Sequence, residues 1–157
     1  MRTDLVRLEA VWNTGGIYLD SDIYLLQPID IVLDNLLPTF WNANPSPSVS
    51  MSWLNAMFAA TKHNPIIKEL IHASGEGIEF CEPNLATACL VGYSKYLNSL
   101  DTNRFNWLGT DDIVFSDWVG NLKFDSFQEI VDTVVSTREK LPLGIHITQH
   151  TWNSSNQ

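Results

Sequence analysis

Apolar positions along the chain follow two periods, one helical and one of strands. Leu5, Leu8 and Trp12 share one face of a helix predicted from about Asp4 to Asn13, with Thr3 or Asp4 as N-cap and Gly15 as its stop. Gly16-Ile17-Tyr18-Leu19 is a short β-prone run. Ile23-Tyr24-Leu25-Leu26 resumes strand character until Gln27-Pro28 ends it. Trp41 to Val49, rich in Asn, Ser and Pro, reads as a loop, and Ser52 to Ala60 as a buried strand carrying Asn55. Asn64-Pro65 opens a helix with a cap and a proline at the first helical position, its Ile66, Ile67, Leu70 and Ile71 facing inward. A second long helix is expected from Asn84 to Leu100. A third runs from Ser126 to about Glu139, where Phe127, Ile130, Val131, Val134 and Val135 recur at helical spacing. Gly144 to Trp152 is strand-like. The layout is mixed α/β, without internal repeat or linker, over one domain spanning residues 1–157.

The composition is that of a globular domain with a real core: 157 residues, 45% hydrophobic and 17% charged. A formal net charge of -9 argues against a nucleic-acid partner, because a phosphate-binding surface needs an excess of Lys and Arg. An acidic chain that handles a nucleotide must neutralise phosphate locally, with a few placed cations or with a metal held by carboxylates. No apolar run is long enough to span a bilayer, and no signal peptide is evident. Cys81 and Cys89 would stand ~12 Å apart on one helix, too far for a disulfide, and read as free thiols. A bridge is open only if Cys81 precedes the helix.

The candidate chemistry sits in Asp20-Ser21-Asp22. Residues i and i+2 of a strand point to the same side, so a strand bent at Ser21 presents both carboxylates to one divalent cation. Oxygen ligands of this kind suit Mg²⁺ or Mn²⁺, which keep positions for water or substrate phosphate. A bare Asp-x-Asp is weak, and a solvated turn explains it equally well. A calcium loop is disfavoured, since neither the sixth-position Gly nor the twelfth-position Glu follows. The surroundings raise the odds. Two carboxylates closing an apolar Gly-Gly-Ile-Tyr-Leu segment are costly unless paired or metal-bound, and Asp4 and Arg7 share one face of the preceding helix.

Thr3-Asp4-Leu5-Val6-Arg7, followed by Trp12-Asn13-Thr14-Gly15-Gly16-Ile17-Tyr18-Leu19-Asp20-Ser21-Asp22, closely resembles the sugar-binding Asp-x-Asp region of a glycosyltransferase superfamily. That group includes initiating mannosyltransferases of the yeast type, glucosylating clostridial toxins, and α-1,4-galactosyl- and N-acetylglucosaminyltransferases. Its pattern is Ser-Asp-x-x-Arg and then Gly-Gly-x-Tyr-x-Asp-x-Asp; only the opening Ser is changed, to Thr3. Asn55-Ala56-Met57-Phe58, Pro83-Asn84-Leu85-Ala86-Thr87 and His150-Thr151-Trp152-Asn153 look like segments of the α-1,4-galactosyltransferase branch, the globotriaosylceramide-synthase-like enzymes. Glu82 stands where that branch has Gly.

The resemblance implies a GT-A-like, Rossmann-related α/β fold: a mixed sheet flanked by helices, with the family's uridine-holding first strands expected upstream of Met1. It implies a retaining hexosyltransferase that uses a UDP-sugar, Mn²⁺ (or Mg²⁺) and a glycan or glycolipid acceptor, in the Golgi lumen if the host is eukaryotic. By the same resemblance Asp20 and Asp22 are the catalytic pair and bind the metal, with His150 as third ligand. Asp4, Arg7, Gly16, Tyr18, Asn55 and Trp152 lie on the donor side. His146 reads as structural: in an extended run it stands ~13 Å from His150, so the two cannot share one ion. His63 and His72 read as surface residues, and Trp12 and Trp118 as core. Trp41 and Trp107 are acceptor-site candidates by sugar stacking. The Asn153-Ser154-Ser155 sequon lies in the same tail, where glycosylation is not expected. Two other readings stand beside this one. One is a truncated or degenerate domain without turnover. The other is a phosphohydrolase, which lacks a second His/Asp cluster for a two-metal site.

Overall fold

The computed structural model describes residues 2–30, 40–43, 55–80, 85–100, 106–108, 113–115 and 126–147. Helix α1 (Arg2–Thr14) buries Leu8 and Val11 and ends at Gly15, whose N–H bonds the Val11 carbonyl at 2.8 Å. Gly15 and Gly16 have φ of +69° and +109°. Side-chain-bearing residues rarely adopt such values, and a Cβ on Gly15 would also meet the Lys62 backbone nitrogen at 2.8 Å. The Gly-Gly pair therefore turns the chain from the helix directly into β1 (Gly16–Leu19).

Strand β1 pairs antiparallel with β4 (Met57–Ala60), from Gly16 opposite Ala60 to Leu19 opposite Met57. On the other side of β4 lies β3 (Phe40–Ala43), also antiparallel, which pairs in parallel with β5 (Asn106–Leu108). A second sheet has β7 (Gly144–His146) at its centre, antiparallel to β2 (Ile23–Leu25) and parallel to β6 (Ile113–Phe115). The expected mixed α/β layout is present, but its described strands fall into two sheets rather than one.

Strand β4 is buried on both faces. Phe58 and Ala60 join Leu8, Val11 and Phe40, together with Ile66, Ile67 and Leu70 of α2 (Pro65–Phe80) and Tyr93 and Leu97 of α3 (Leu85–Ser99). Met57 and Ala59, pointing the other way as strand alternation requires, pack with Leu143 and against Ile17, Leu19, Ile23, Leu25 and Ile29. That second cluster holds the two sheets together. Helix α4 (Phe127–Thr137), capped by Ser126 whose Oγ accepts from the Glu129 N–H, covers Ile145 with Ile130 and Val134. Helices α2 and α3 cross so closely at Gly92 that a Cβ there would overlap the carbonyl group of Ala73.

The helices match their predicted spans to within a few residues, and Asn64 caps α2 by accepting the Ile66 N–H at 2.9 Å. Trp12 packs against the core as expected, and His63 and His72 are exposed. Three expectations need correction. Residues 41–43 form strand β3 rather than a loop, because Asn42 is fully buried and its Oδ1 accepts the Tyr93 hydroxyl at 2.6 Å. A partner supplied by the fold overrides the poor strand propensity of Asn. Asn55 and Ala56 form a turn ahead of β4 instead of belonging to the strand. Val135 is exposed, so α4 buries a narrower stripe than its sequence offers. Strands β5 and β6 are additions that local pattern did not announce. Residues 44–49, Cys81, Trp118 and 148–157 lie outside the described residues. Among the described residues no helix is long and apolar enough to cross a membrane.

Candidate functional site

The ladder of β1 extends one residue past its end, where the Asp20 N–H bonds the Ala56 carbonyl at 2.8 Å. The chain then turns through Ser21 and Asp22, closed by the Ile23 N–H on the Asp20 carbonyl at 3.1 Å, and enters β2. Asp20 thus closes one sheet and Asp22 opens the other. It is this turn, rather than the period of a continuous strand, that brings the two carboxylates together.

Two side chains hold Asp20, and two more hold Arg7 in place. Arg7 Nη1 reaches Asp20 Oδ1 at 2.8 Å, and the Tyr18 hydroxyl donates to the same oxygen at 2.6 Å. Arg7 Nη1 also donates to the Asn55 carbonyl at 3.0 Å and lies 3.3 Å from Asn55 Oδ1, while Nη2 stands 3.4 Å from Asp4 Oδ1. Asn55 Nδ2 donates to that Asp4 oxygen at 3.0 Å. The guanidinium carbon is 4.8 Å from the centroid of the Tyr18 ring, which itself stacks on Phe58. The i,i+3 spacing of Asp4 and Arg7, the alternation of Tyr18 and Asp20 along one side of β1, and the turn before β4 supply these contacts. Among the described residues, both side-chain contacts to Asp20 fall on Oδ1, so Oδ2 is the oxygen available to a cation.

Tyr18 carries a testable consequence. Burial, reinforced by the hydrogen bond to Asp20, pushes its hydroxyl up to about 12 from 10.0. The folded state therefore binds this proton more tightly than the unfolded chain. The resulting stability is fully present below about pH 10 and is lost as pH rises toward 12. Tyr18→Phe is expected to cost about 1.5–3 kcal/mol near neutrality, the range for a hydrogen bond to a charged group. In thermal melts the gap between the native chain and Tyr18→Phe should stay constant from pH 7 to 9 and close between about pH 10 and 12. Burial also raises Tyr93, but that contribution is common to both proteins.

On the far side of the turn, the β2–β7 register sets Ile23 opposite His146, and the Ile147 N–H bonds the Asp22 carbonyl at 2.8 Å. His146, 8% exposed, then presents Nε2 at 3.2 Å from Asp22 Oδ1. One ligand atom from each of Asp20, Asp22 and His146 lies within 4.8 Å of the others. Donors around a six-coordinate cation at ~2.1 Å stand ~3 Å apart at right angles and ~4.2 Å apart across it. A spread of 4.8 Å is thus within a small side-chain rotation of enclosing one ion. The charges agree: two carboxylates, Asp4 and Asp20, flank one guanidinium, while the third, Asp22, lies against His146. Asp22, with 46% of its side chain exposed, opens the site to solvent.

Of the residues expected to act, Asp4, Arg7, Tyr18, Asp20, Asp22 and Asn55 gather here. Gly16 lies at the opposite end of β1, ~13 Å of extended chain from Asp20, and its described part is the turn. His150 and Trp152 lie outside the described residues. The backbones of Trp41 and Trp107 run side by side in β3 and β5. His146, which the sequence assigned to structure, stands among the ligand candidates instead. Only the pairing of β7 with β2, across 124 positions, reveals it.

Residues 1–41 match the family described as a glycosyltransferase sugar-binding region containing a DXD motif. The match holds Asp4, Arg7, Tyr18, Asp20 and Asp22, so the first part of this chain is a glycosyltransferase-like region and its Asp20-Ser21-Asp22 is the named motif. It covers 41 of 157 residues and ends before Asn55 and His146. Its description names no branch, donor or acceptor. No curated protein matches the chain.

Proposed function

We propose that this chain is a metal-dependent, retaining glycosyltransferase that moves a hexose from a UDP-sugar to a hydroxyl of a glycan or glycolipid. The observation that carries the proposal is the convergence of Asp20, Asp22 and an imidazole within 4.8 Å, the two carboxylates lying in the stretch matched to a glycosyltransferase sugar-binding region. Asp20 and Asp22 would hold Mn²⁺ or Mg²⁺, whose chemistry is to neutralise the diphosphate as it leaves. Arg7 and Tyr18 fix Asp20 by one oxygen and keep its carboxylate aimed at that position. Asp4 and Asn55, tied to each other and to Arg7, present hydrogen-bonding edges suited to sugar hydroxyls. In the transfer the anomeric C–O bond to phosphate breaks on the face where the acceptor oxygen bonds, and the leaving phosphate oxygen takes the acceptor's proton. This front-face course requires no carboxylate nucleophile. Resemblance of the later segments favours the α-1,4-galactosyltransferase branch, with His150 and Trp152 joining the donor site and a Golgi setting in a eukaryotic host.

Calorimetry with UDP and Mn²⁺ tests the reading. UDP should bind in the presence of Mn²⁺, and Asp22→Ala should weaken Mn²⁺-dependent UDP binding at least ~10-fold, the smallest loss expected for a group near a metal. Absent binding, or binding indifferent to that substitution, would sink the assignment.

A further inference from the structure

We propose that Tyr93 is a positioning residue for Asp20: acting through Asn42 and Phe58, its buried hydroxyl sets the place of the Tyr18 ring that holds the carboxylate. The inference rests on the donor-site reading of Asp20 given above and extends that site into the core beneath it.

The sheet supplies the path. Its register sets Tyr18 opposite Phe58 and Phe58 opposite Asn42, so the three form one row across β1, β4 and β3. Residues directly opposite in an antiparallel ladder share a face, their Cβ atoms ~5 Å apart. At the outer end Tyr18 stacks on Phe58, ring centroids 5.3 Å apart, and its hydroxyl donates to Asp20. At the inner end Asn42 Oδ1 accepts the Tyr93 hydroxyl at 2.6 Å. Asn42, Phe58 and Tyr93 are all fully buried. Packing alone does not call for a polar pair here. Apolar groups of the same shape would fill the place without taking an amide and a phenol out of water, an exchange that is near neutral or stabilising. What the hydrogen bond adds is direction: it fixes Asn42 against α3 where apolar surfaces could slide. A close-packed interior has few voids in which such a displacement could die away, so Phe58 passes it to Tyr18. Electrostatics reach the same place. Burial pushes the Tyr93 hydroxyl up, and the charge that pulls it back is that of Arg7. The guanidinium that holds Asp20 therefore acts on a tyrosine at each end of the row.

A double-substitution cycle on the full chain tests this. Tyr18→Phe removes the bond to Asp20 and Tyr93→Phe the bond to Asn42, each keeping its ring. If the inner bond holds the outer one, Tyr18→Phe costs less once Tyr93→Phe is present. In urea unfolding, the folding equilibrium constant of the double variant should exceed the additive value by at least ~2-fold, the lower limit for residues that share a network. Ile66→Val, in the first turn of α2 and in the same core cluster, loses packing but no hydroxyl, and with Tyr18→Phe it should be additive within ~2-fold. At the site, Mn²⁺-dependent UDP affinity should fall at least ~3-fold in Tyr93→Phe, short of the ~10-fold expected of a group nearer the metal, and stay unchanged in Ile66→Val. An additive Tyr18–Tyr93 cycle overturns the inference, as does an equal departure with Ile66→Val. Unchanged UDP affinity in Tyr93→Phe overturns it too and leaves the donor-site reading standing. A native chain that does not bind UDP overturns that reading, and the cycle alone then decides whether Tyr93 positions Asp20. Should Tyr93→Phe fail to fold, Asn42→Ala takes its place under the same limits.

Discussion

Arg7→Ala is expected to lower stability by about 3 kcal/mol, the low end for breaking a buried pair, because Asp20 keeps a quarter of its side chain exposed. For a chain of this size that is a fall of roughly 6–12 °C in Tm. The guanidinium offsets Asp4 and Asp20, caps the Asn55 carbonyl and lies over the Tyr18 ring, so its loss is felt by four residues together. Arg7→Lys restores the charge but not the fork that spans Asp4, Asn55 and Asp20, and should recover only part of the loss. Mn²⁺ should narrow the gap between native and Arg7→Ala proteins, since a cation beside Asp20 supplies the missing positive charge. Melts with and without Mn²⁺ check both statements. A fall below about 2 °C would show that the network carries little energy.

Gly92→Ala should destabilise by about 2 kcal/mol, against the usual sign for this substitution in a helix. Helix propensity favours Ala over Gly by ~1 kcal/mol, but the added Cβ overlaps the Ala73 carbonyl group. A backbone group has no rotamer into which to retreat, so overpacking here reaches the ~3 kcal/mol end of its range. Gly75 provides the comparison. It lies in the neighbouring helix with nothing within 4 Å of its added Cβ, so Gly75→Ala should raise stability by about 0.5–1 kcal/mol. Equal effects from the two substitutions would mean that α2 and α3 do not cross as closely as the structure places them.

The contrast between what local pattern reveals and what it does not runs through the site. Helix α1, the Gly-Gly turn and β1 were legible because each follows from its own residues: an apolar face, a left-handed stop, a β-prone run. Asp4, Arg7 and Asp20 were legible for the same reason, since spacing along one helix and one strand places them, whereas Tyr18 entered the site by resemblance. Asn55 needed the resemblance, and His146 needed the fold. No property of Gly144-Ile145-His146 says which strand it will join. Strand β3 was hidden by Asn42, whose burial depends on a tyrosine 51 positions away. Strands β5 and β6, three residues each, are too short for a period to show.

The contact between Asp22 and His146 spans 124 positions of chain, and that separation sets the order in which the site is built. At about 5–20 residues per second, a ribosome takes roughly 6–25 s to travel from the first of these residues to the second. Helix α1 and β1 are made early, so through that interval the carboxylates of the motif exist without the imidazole. Loop closure this long is slow and costly in entropy, which makes the ring one of the last parts to arrive. The Asp20, Asp22 and His146 cluster is therefore a late product of synthesis, complete only once the final described strand has found β2.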